Sequence, residues 1–144
     1  MIIPVKVLRS GARLPTAGSR YAAGYDLYAC LDAPLVIPPH TTVKIGTGLA
    51  LAVPEGWFGA IFARSGLAAK QGLRPANCVG VCDSDYRGEY IIAVHNDSAE
   101  PRTVSPGDRI AQLVLLPCVS ADFTLADSLP DTERSDGGFG STGV

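Results

Sequence analysis

The chain has 144 residues, of which 47% are hydrophobic and 18% are charged, and its formal net charge is −2. This length suits one domain with a proper core, and the small charged fraction fits a subunit that covers part of its surface with copies of itself. An almost neutral chain without a lysine or arginine run argues against nucleic acid as a partner.

The first segment, MIIPVKVLRS, is an apolar run that a proline and a lysine interrupt early, unlike a signal peptide. No later run is long enough to cross a membrane. We therefore expect a cytoplasmic protein without a membrane partner. In that setting the four cysteines are expected to be buried thiols, and Cys78 and Cys82 form at most half of a zinc site because no second ligand pair follows.

Short β-rich runs, separated by prolines and glycines, follow one another along the chain. They are IIPVKVL, YDLYACL, TVKIGTGLALAV, GWFGAIFA, EYIIAVHN and RIAQLVLL. Regular short strands with turn signals between them predict an all-β sandwich or barrel. In the third run, residues 42–53 alternate between apolar and small or polar side chains, with Thr47 as the exception on the apolar side.

Two motifs in the first half carry charged groups. In AAGYDLYAC, Asp26 lies within a predicted strand, where a buried carboxylate needs a partner or a cation. In RSGLAAKQG, we expect a short helix with Ser65 as its N-cap and Gly72 as its stop. Arg64 stands before the free N–H groups of that helix start, which suits a phosphate. An ordinary capped turn with Arg64 in solvent explains the same residues.

The segment NCVGVCDSDYRGEYIIAV predicts a β-hairpin of residues 79–82 and 89–94. Gly80 would then lie inside a strand, which suits a position where another group, such as a nucleobase, approaches the backbone. Backbone groups of an open hairpin match the donor and acceptor edge of a pyrimidine, and Tyr86 can pack beside a sugar. Asp83 either takes a proton from water or is a turn aspartate that bonds its own backbone.

Two further stretches complete the chain. In SPGDRIAQLVL, Gln112 lies in an apolar strand and needs a hydrogen-bond partner from protein or ligand, whereas Asp108 and Arg109 suit a turn pair or a subunit contact. The glycine-rich end, residues 134–144, is either a frayed terminus or a flap that orders over a ligand.

Taken in order, AGYDLYA, RSGLAAK, GVCDSDYRGE, PGDRIAQLVL and GGFGSTG closely resemble the five motifs of the trimeric deoxyuridine triphosphate nucleotidohydrolases, the dUTPases. The motifs span residues 23–143 in the family's order and spacing. The resemblance implies an all-β, jelly-roll-like distorted barrel with one short helix, which assembles as a homotrimer with shared active sites. It also implies hydrolysis of dUTP to dUMP and pyrophosphate with Mg²⁺ on the triphosphate, which limits uracil in DNA and supplies dUMP for dTMP synthesis.

The resemblance also implies roles for individual residues, within a barrel of residues 1–133 and a flap of residues 134–144. Asp83 is the base that activates water, Tyr86 packs on the deoxyribose, and Asp26 holds Mg²⁺ through water. The uracil site is formed by Asn77, Gly80, Val81, Cys82 and Ile91. The phosphates are bound by Gln112 and by Arg64, Ser65 and Gly66 of a neighbouring subunit. The flap contributes Arg134, Phe139, Gly140, Ser141 and Thr142, with Phe139 over the uracil.

Two residues depart from the family pattern. Cys82 stands where a branched apolar residue is more common, and a thiol beside Asp83 would make the protein sensitive to thiol reagents. Ser135 replaces a glycine that commonly follows the arginine of the flap, which would restrict the path of the flap. Neither change removes a catalytic group.

Two other functions remain to be tested. The related dCTP deaminases share the barrel and use a glutamate in the hairpin strand, a position near Glu89 here. A non-catalytic trimeric binding module would keep the fold without the chemistry, but Asp83, Tyr86 and the complete tail argue against it.

Overall fold

The computed structural model describes residues 1–77 and 79–138. Twelve strands and one helix form its regular structure. They are β1 (Val5–Val7), β2 (Thr16–Ala17), β3 (Gly24–Tyr28), β4 (Leu35–Ile37), β5 (Thr42–Gly46), β6 (Leu49–Leu51), β7 (Trp57–Phe62), α1 (Ser65–Gln71), β8 (Leu73–Pro75), β9 (Gly80–Cys82), β10 (Ile91–Asn96), β11 (Arg102–Val104) and β12 (Arg109–Pro117).

Antiparallel pairing arranges the strands in four sheets. The largest has the order β2-β3-β12-β7-β9, the second has the order β5-β10-β8, and the pairs β1-β6 and β11-β4 complete the set. The long strand β12 holds the first sheet together because it pairs with β3 on one edge and β7 on the other. The prediction of an all-β barrel with one short helix is confirmed.

One apolar core lies between the sheets. Its most deeply buried side chains come from different strands and include Leu27, Ile37, Ile45, Leu73 and Ile110, each at most 1% exposed. Each such side chain contributes about 1.5–3 kcal/mol through its removal from water. In residues 1–77 and 79–138, no helical segment has the length and hydropathy needed to span a membrane.

The expected single strand of residues 42–53 is divided into β5 and β6. At the break, the Thr47 hydroxyl donates to the carbonyl oxygen of Tyr90 at 2.8 Å, and Gly48 has a φ of +70°. A Cβ at Gly48 would lie 2.8 Å from Ala12 Cβ and 2.9 Å from Cys30 Sγ. The alternating pattern predicted the strands but not the turn between them. Thr47 is buried at this turn because its hydroxyl has a hydrogen-bond partner inside the core.

Helix α1 begins one residue earlier than expected. Arg64, not Ser65, is the N-cap residue, and it makes no capping hydrogen bond with its side chain, so the prediction for Ser65 is wrong. The Arg64 side chain is instead directed to Asp26, as described below. The predicted stop at Gly72 is confirmed, because Gly72 has a φ of +67° and its N–H donates to the Ala68 carbonyl.

The predicted hairpin is also wrong, although both of its strands exist. Strand β9 pairs with β7, whereas β10 pairs with β5 and β8, so the two strands belong to different sheets. Residues 83–90 therefore form a wide connection between sheets instead of a tight turn. The expectation of buried thiols holds for Cys30 but not for Cys118, which is exposed, and Cys78 lies outside the described residues.

Candidate active site

A pocket of about 210 Å³ lies between β9 and β10, where the predicted hairpin would have closed. Strand β9 lies at the edge of its sheet, and the first residues of β10, Ile91 and Ile92, pair with β5 but extend beyond β8, which pairs only with residues 94–96. The free edge of β9 and these two residues therefore border the pocket. Its lining consists of Ile61, Asn77, Gly80, Val81, Cys82, Asp83, Tyr86, Glu89, Tyr90, Ile91 and Ile92. Every residue that was expected at the uracil site therefore lines this one pocket.

Asp83 lies at the end of β9, at the mouth of the pocket. Its carbonyl oxygen accepts a hydrogen bond from the Tyr86 N–H at 3.1 Å, and this bond forms the turn. Its exposed carboxylate makes no hydrogen bond or ion pair to the part of the chain that the structure describes. The alternative of an aspartate that bonds its own turn is not observed, and the carboxylate can accept a proton from a molecule in the pocket.

Tyr86 lies beside Asp83 on the same loop. Its hydroxyl donates to the Glu89 carbonyl oxygen at 3.0 Å. Its ring centroid lies 6.1 Å from that of Tyr90, at an interplanar angle of 49°, which is a favourable distance for tilted aromatic rings. The tyrosine thus presents an oriented aromatic surface next to the free carboxylate.

Gly80 is closely packed, but by protein groups. A Cβ at this position would lie 3.0 Å from Ile61 Cβ and 3.1 Å from Asn77 Nδ2. The glycine thereby allows strand β9 to approach β7 and the Asn77 amide. The requirement for glycine arises from these contacts, independently of any ligand.

Cys82 and Tyr90 form the floor of the pocket. Burial raises the pKa of the Cys82 thiol, with a smaller contribution from the Asp83 charge. Burial also raises the pKa of Tyr90. The Tyr90 hydroxyl lies beside this thiol but makes no hydrogen bond of good geometry to the described residues. A thiol that keeps its proton is a poor nucleophile, so the structure argues against the expected sensitivity to thiol reagents.

A second cluster surrounds Asp26 on β3. The Arg64 Nε donates to Asp26 Oδ1 at 2.6 Å, and Arg109 Nη1 donates to Asp26 Oδ2 at 3.2 Å. The half-buried carboxylate thus has the partners that its position in a strand demands. Arg64 and Asp26 are paired with each other here, and neither they nor Ser65 and Gly66 line the Asp83 pocket.

Gln112 lies between these two regions. It is paired in register with Asp26 on one side and Phe62 on the other, and its Nε2 donates to the Ala63 carbonyl oxygen at 2.9 Å. It also lines a cavity of about 280 Å³ that shares Ile61 and Asn77 with the Asp83 pocket. The amide has a protein partner and still borders the space next to the pocket.

After Pro117 the described part of the tail has no helix or strand, and residues 118–136 are exposed. Arg134 Nε donates to the Gly137 carbonyl oxygen at 2.8 Å, and Ser135 has a φ of +46°. Ser135 thus adopts a conformation that glycine would favour. This is the position at which the dUTPase pattern commonly has a glycine. Phe139, Gly140, Ser141 and Thr142 lie outside the described residues.

Two features of the pocket were missed in the sequence. Tyr90 is the second residue of the predicted return strand of residues 89–94, and an aromatic residue so close to the turn was a usable signal. Arg9 forms an ion pair with Glu89 at 2.7 Å across 80 residues of sequence, and no local pattern indicates such a contact. The hydrogen bond to Glu89 raises the pKa of Arg9 above its usual value.

Comparison with known proteins gives consistent results. The family model described as dUTPase matches residues 10–143. The deoxyuridine 5'-triphosphate nucleotidohydrolase of Desulfitobacterium hafniense is 56% identical over 133 residues, covering 92% of this chain and 88% of the relative. The enzyme of the same name from Syntrophotalea carbinolica is 48% identical over 141 residues, covering 98% and 96%.

A solved structure with a similar backbone is that of a variant dUTPase from Staphylococcus bacteriophage 80alpha with dUpNHpp. It has a TM-score of 0.85 and 27% sequence identity, and the alignment covers 99% of both chains.

Proposed function

Because the chain belongs to the dUTPase family, we propose that it hydrolyses dUTP to dUMP and pyrophosphate at the pocket that contains Asp83. The observation that carries this assignment is a carboxylate with no hydrogen bond or ion pair to the described residues, at the mouth of a pocket between the free edge of β9 and the start of β10. At about 210 Å³ the pocket is smaller than most ligand sites, which measure about 300–1,000 Å³. That size suits a single-ring base.

The free edge of β9 and the start of β10 at Ile91 read the uracil. Backbone N–H and C=O groups of Val81, Cys82 and Ile91 are fixed donors and acceptors, with the Asn77 side chain and Gly80 beside them. Cytosine presents the reverse order at its edge, so it would leave these groups unpaired, at a cost of about 1–3 kcal/mol for each unsatisfied group. Thymine is excluded by shape.

Asp83 is the general base, and Tyr86 is the residue against the sugar. The carboxylate takes a proton from the water that attacks the α-phosphate, and the electron pair of the broken P–O bond leaves with pyrophosphate. The Tyr86 ring packs on the deoxyribose and leaves no room for a 2′-hydroxyl. The hydrogen bonds of Tyr86 to Asp83 and Glu89 support this arrangement because they fix the ring next to the carboxylate.

The phosphates are bound by groups from more than one subunit of a homotrimer. Arg64, Ser65 and Gly66 lie at the N-terminal end of α1 and do not line the Asp83 pocket of their own chain. We assign them to the phosphates of a neighbour's substrate, with Gln112 at the α-phosphate. The exposed apolar side chains after β12, which are 84% exposed or more, support assembly since association would bury them. They are Val119, Phe123, Leu125 and Leu129.

Mg²⁺ enters this scheme bound to the triphosphate. Within the described ranges there is no group of three or more His, Cys, Asp or Glu side chains that would hold a resident ion. The Asp26 carboxylate is paired with two guanidinium groups, which fits contact through water better than direct ligation. The ion would supply charge neutralisation on the phosphates. Arg64 would move from Asp26 to the phosphate when the substrate is bound.

The flap completes the site. We assign Arg134 to the phosphates together with Gly140, Ser141 and Thr142, and Phe139 to the face of the uracil. A closed flap would exclude water other than the nucleophile. Unpaired cysteines at positions 30, 82 and 118 fit a reducing compartment, and we place the reaction in the cytoplasm.

Pyrophosphate release from dUTP, dCTP, dTTP and UTP, each with and without Mg²⁺, tests the assignment. We expect rapid release from dUTP with Mg²⁺ and little from the other nucleotides. Release of ammonia from dCTP would instead identify a deaminase. The structure gives that alternative little support, since Glu89 is bound to Arg9 and to the Gly48 N–H.

A further inference from the structure

Arg9 and Glu89 form a contact that the proposed reaction does not use. Arg9 Nη2 donates to Glu89 Oε1 at 2.7 Å, and the Gly48 N–H donates to the same oxygen at 2.7 Å. The Arg9 side chain is 46% exposed and that of Glu89 is 23% exposed. Glu89 also lines the Asp83 pocket, so the N-terminal segment is connected to the wall of the site by a charged hydrogen bond.

The backbone around this contact is shaped to accommodate it. A Cβ at Gly46 would overlap both Arg9 Nη2 and Glu89 Oε1, so only glycine leaves space for the pair. Gly48 has a φ of +70°, which directs its N–H to the carboxylate. The Leu8 N–H donates to the Gly48 carbonyl oxygen at 2.8 Å and brings Arg9 to this place.

Glu89 continues the connection to the reactive loop. Its carbonyl oxygen accepts the Tyr86 hydroxyl at 3.0 Å, and the Tyr86 N–H donates to the Asp83 carbonyl oxygen at 3.1 Å. The hydrogen-bonded path from Arg9 to Asp83 thus passes through Glu89 and Tyr86. The Glu89 side chain is bound by the charged Arg9 guanidinium, and the Glu89 backbone carbonyl binds the Tyr86 hydroxyl.

The loop needs such an attachment because of the fold. Residues 83–90 connect strands of two different sheets, so no hairpin hydrogen bonds fix them. Asp83, Asp85, Tyr86 and Arg87 are all exposed. The C-terminal end of the loop is bonded to the start of β6, where the Tyr90 N–H donates to the Leu49 carbonyl oxygen at 2.8 Å.

We propose that Arg9 is a positioning residue that acts through Glu89 to set the orientation of Tyr86 and Asp83, and that it thereby sharpens discrimination between dUTP and UTP. This inference rests on the proposed function. Tyr86 is the residue against the sugar, and a loop that is free to shift would admit a 2′-hydroxyl. An exposed ion pair contributes little to the stability of the fold, so its effect is on geometry.

The test compares kcat and KM for dUTP and UTP in Arg9→Met, Arg9→Lys and Glu89→Gln proteins. Met keeps the length of the side chain without its charge, and Lys keeps the charge. We expect Arg9→Met and Glu89→Gln to lower the ratio of kcat/KM for dUTP over UTP by about tenfold. Arg9→Lys should restore most of the ratio. Thermal melting temperatures should stay close to the wild-type value.

Arg20→Met is the matched control. Arg20 lies over the Tyr21 ring at 5.5 Å, and it neither lines the pocket nor pairs with an acidic residue of the described chain. The same chemical change at this position should leave the ratio unaltered. A fall in the ratio for Arg20→Met equal to that for Arg9→Met would overturn the inference.

Two other outcomes also decide against it. An unchanged ratio in both Arg9→Met and Glu89→Gln would show that the pair does not position the loop. An equal loss of activity on both nucleotides with a large fall in melting temperature would show a role in folding only. A wild-type protein that releases no pyrophosphate from dUTP would overturn the proposed function together with this inference, whereas an active wild type with unchanged ratios overturns this inference alone.

Discussion

The Asp83 pocket and the segment of residues 118–138 are built in opposite ways. The pocket is complete within one chain, with walls from two sheets and a floor formed by Cys82 and Tyr90. The segment has no helix or strand, and large side chains such as Phe123 and Leu125 are fully exposed. The pocket is formed by residues that pack within one chain, whereas the segment leaves its large apolar side chains exposed. We therefore propose that base recognition belongs to the subunit and that closure of the site belongs to the assembly.

The substitution Asp83→Asn tests most directly whether the chemistry takes place in the pocket. Asparagine keeps the shape but cannot take a proton, so we expect kcat to fall by about 10²–10⁴-fold while nucleotide affinity is retained. Asp85→Asn is the matched control, because Asp85 lies on the same exposed loop but outside the pocket. Turnover by Asp83→Asn within a few-fold of the wild type would show that Asp83 is not the base.

Deletion of residues 137–144 tests whether the C-terminal residues close the site. If closure is separate from base recognition, the shortened protein should remain a folded trimer with wild-type melting temperature and lose about 10²-fold in kcat/KM. Circular dichroism and sedimentation report the fold and the assembly. An unfolded product would mean that these residues belong to the core and that the contrast between the two regions is wrong.

Assembly can be weakened without touching the pocket by the double substitution Phe123→Ser and Leu125→Ser. Burial of each apolar side chain contributes about 1.5–3 kcal/mol, so its loss should shift the trimer toward monomers at micromolar concentration. Tyr21→Ser is the control, since Tyr21 is 87% exposed but lies outside the segment. Analytical ultracentrifugation measures the shift, and an unaltered trimer would remove this segment from the interface.

The smallest effect is expected at the floor of the pocket, in Tyr90→Phe. Removal of a buried hydroxyl without a hydrogen bond to the described residues should raise the free energy of unfolding by about 1 kcal/mol at neutral pH. Because burial raises the pKa of Tyr90 in the folded state, stability that is present below the usual tyrosine pKa of about 10 is lost as the pH rises above it.

The Tyr90→Phe protein should therefore lose less stability than the wild type between about pH 9 and pH 11. The Cys82 thiol is present in both proteins, so its own titration affects them alike. Urea unfolding at a series of pH values gives the comparison. A loss of stability at neutral pH would show that the hydroxyl makes a bond that the fold requires.

Local patterns in the sequence were sufficient for most of the strands. The run RIAQLVLL predicted β12 through short-range signals, namely the spacing of apolar residues and turn residues. The residues proposed to read uracil came from the resemblance of the motifs to those of the dUTPases, and they do lie together.

The errors concern pairing between distant segments. Adjacent strands β9 and β10 were expected to pair with each other, but their partners β7 and β5 come from far earlier in the chain. Arg64 was expected in solvent or on a phosphate, and it is paired with Asp26. Such contacts depend on which surfaces meet in three dimensions, and no periodicity in a single sequence encodes them.

The separation of β9 and β10 into different sheets has a consequence for how the molecule responds to a ligand. A base between the free edge of β9 and the start of β10 at Ile91 and Ile92 would join the two sheets through hydrogen bonds to both strands. Slower hydrogen exchange of backbone amides on both strands at once would report that joining. The ligand would thus stabilise the barrel between β9 and β10, which do not pair with each other in the polypeptide alone.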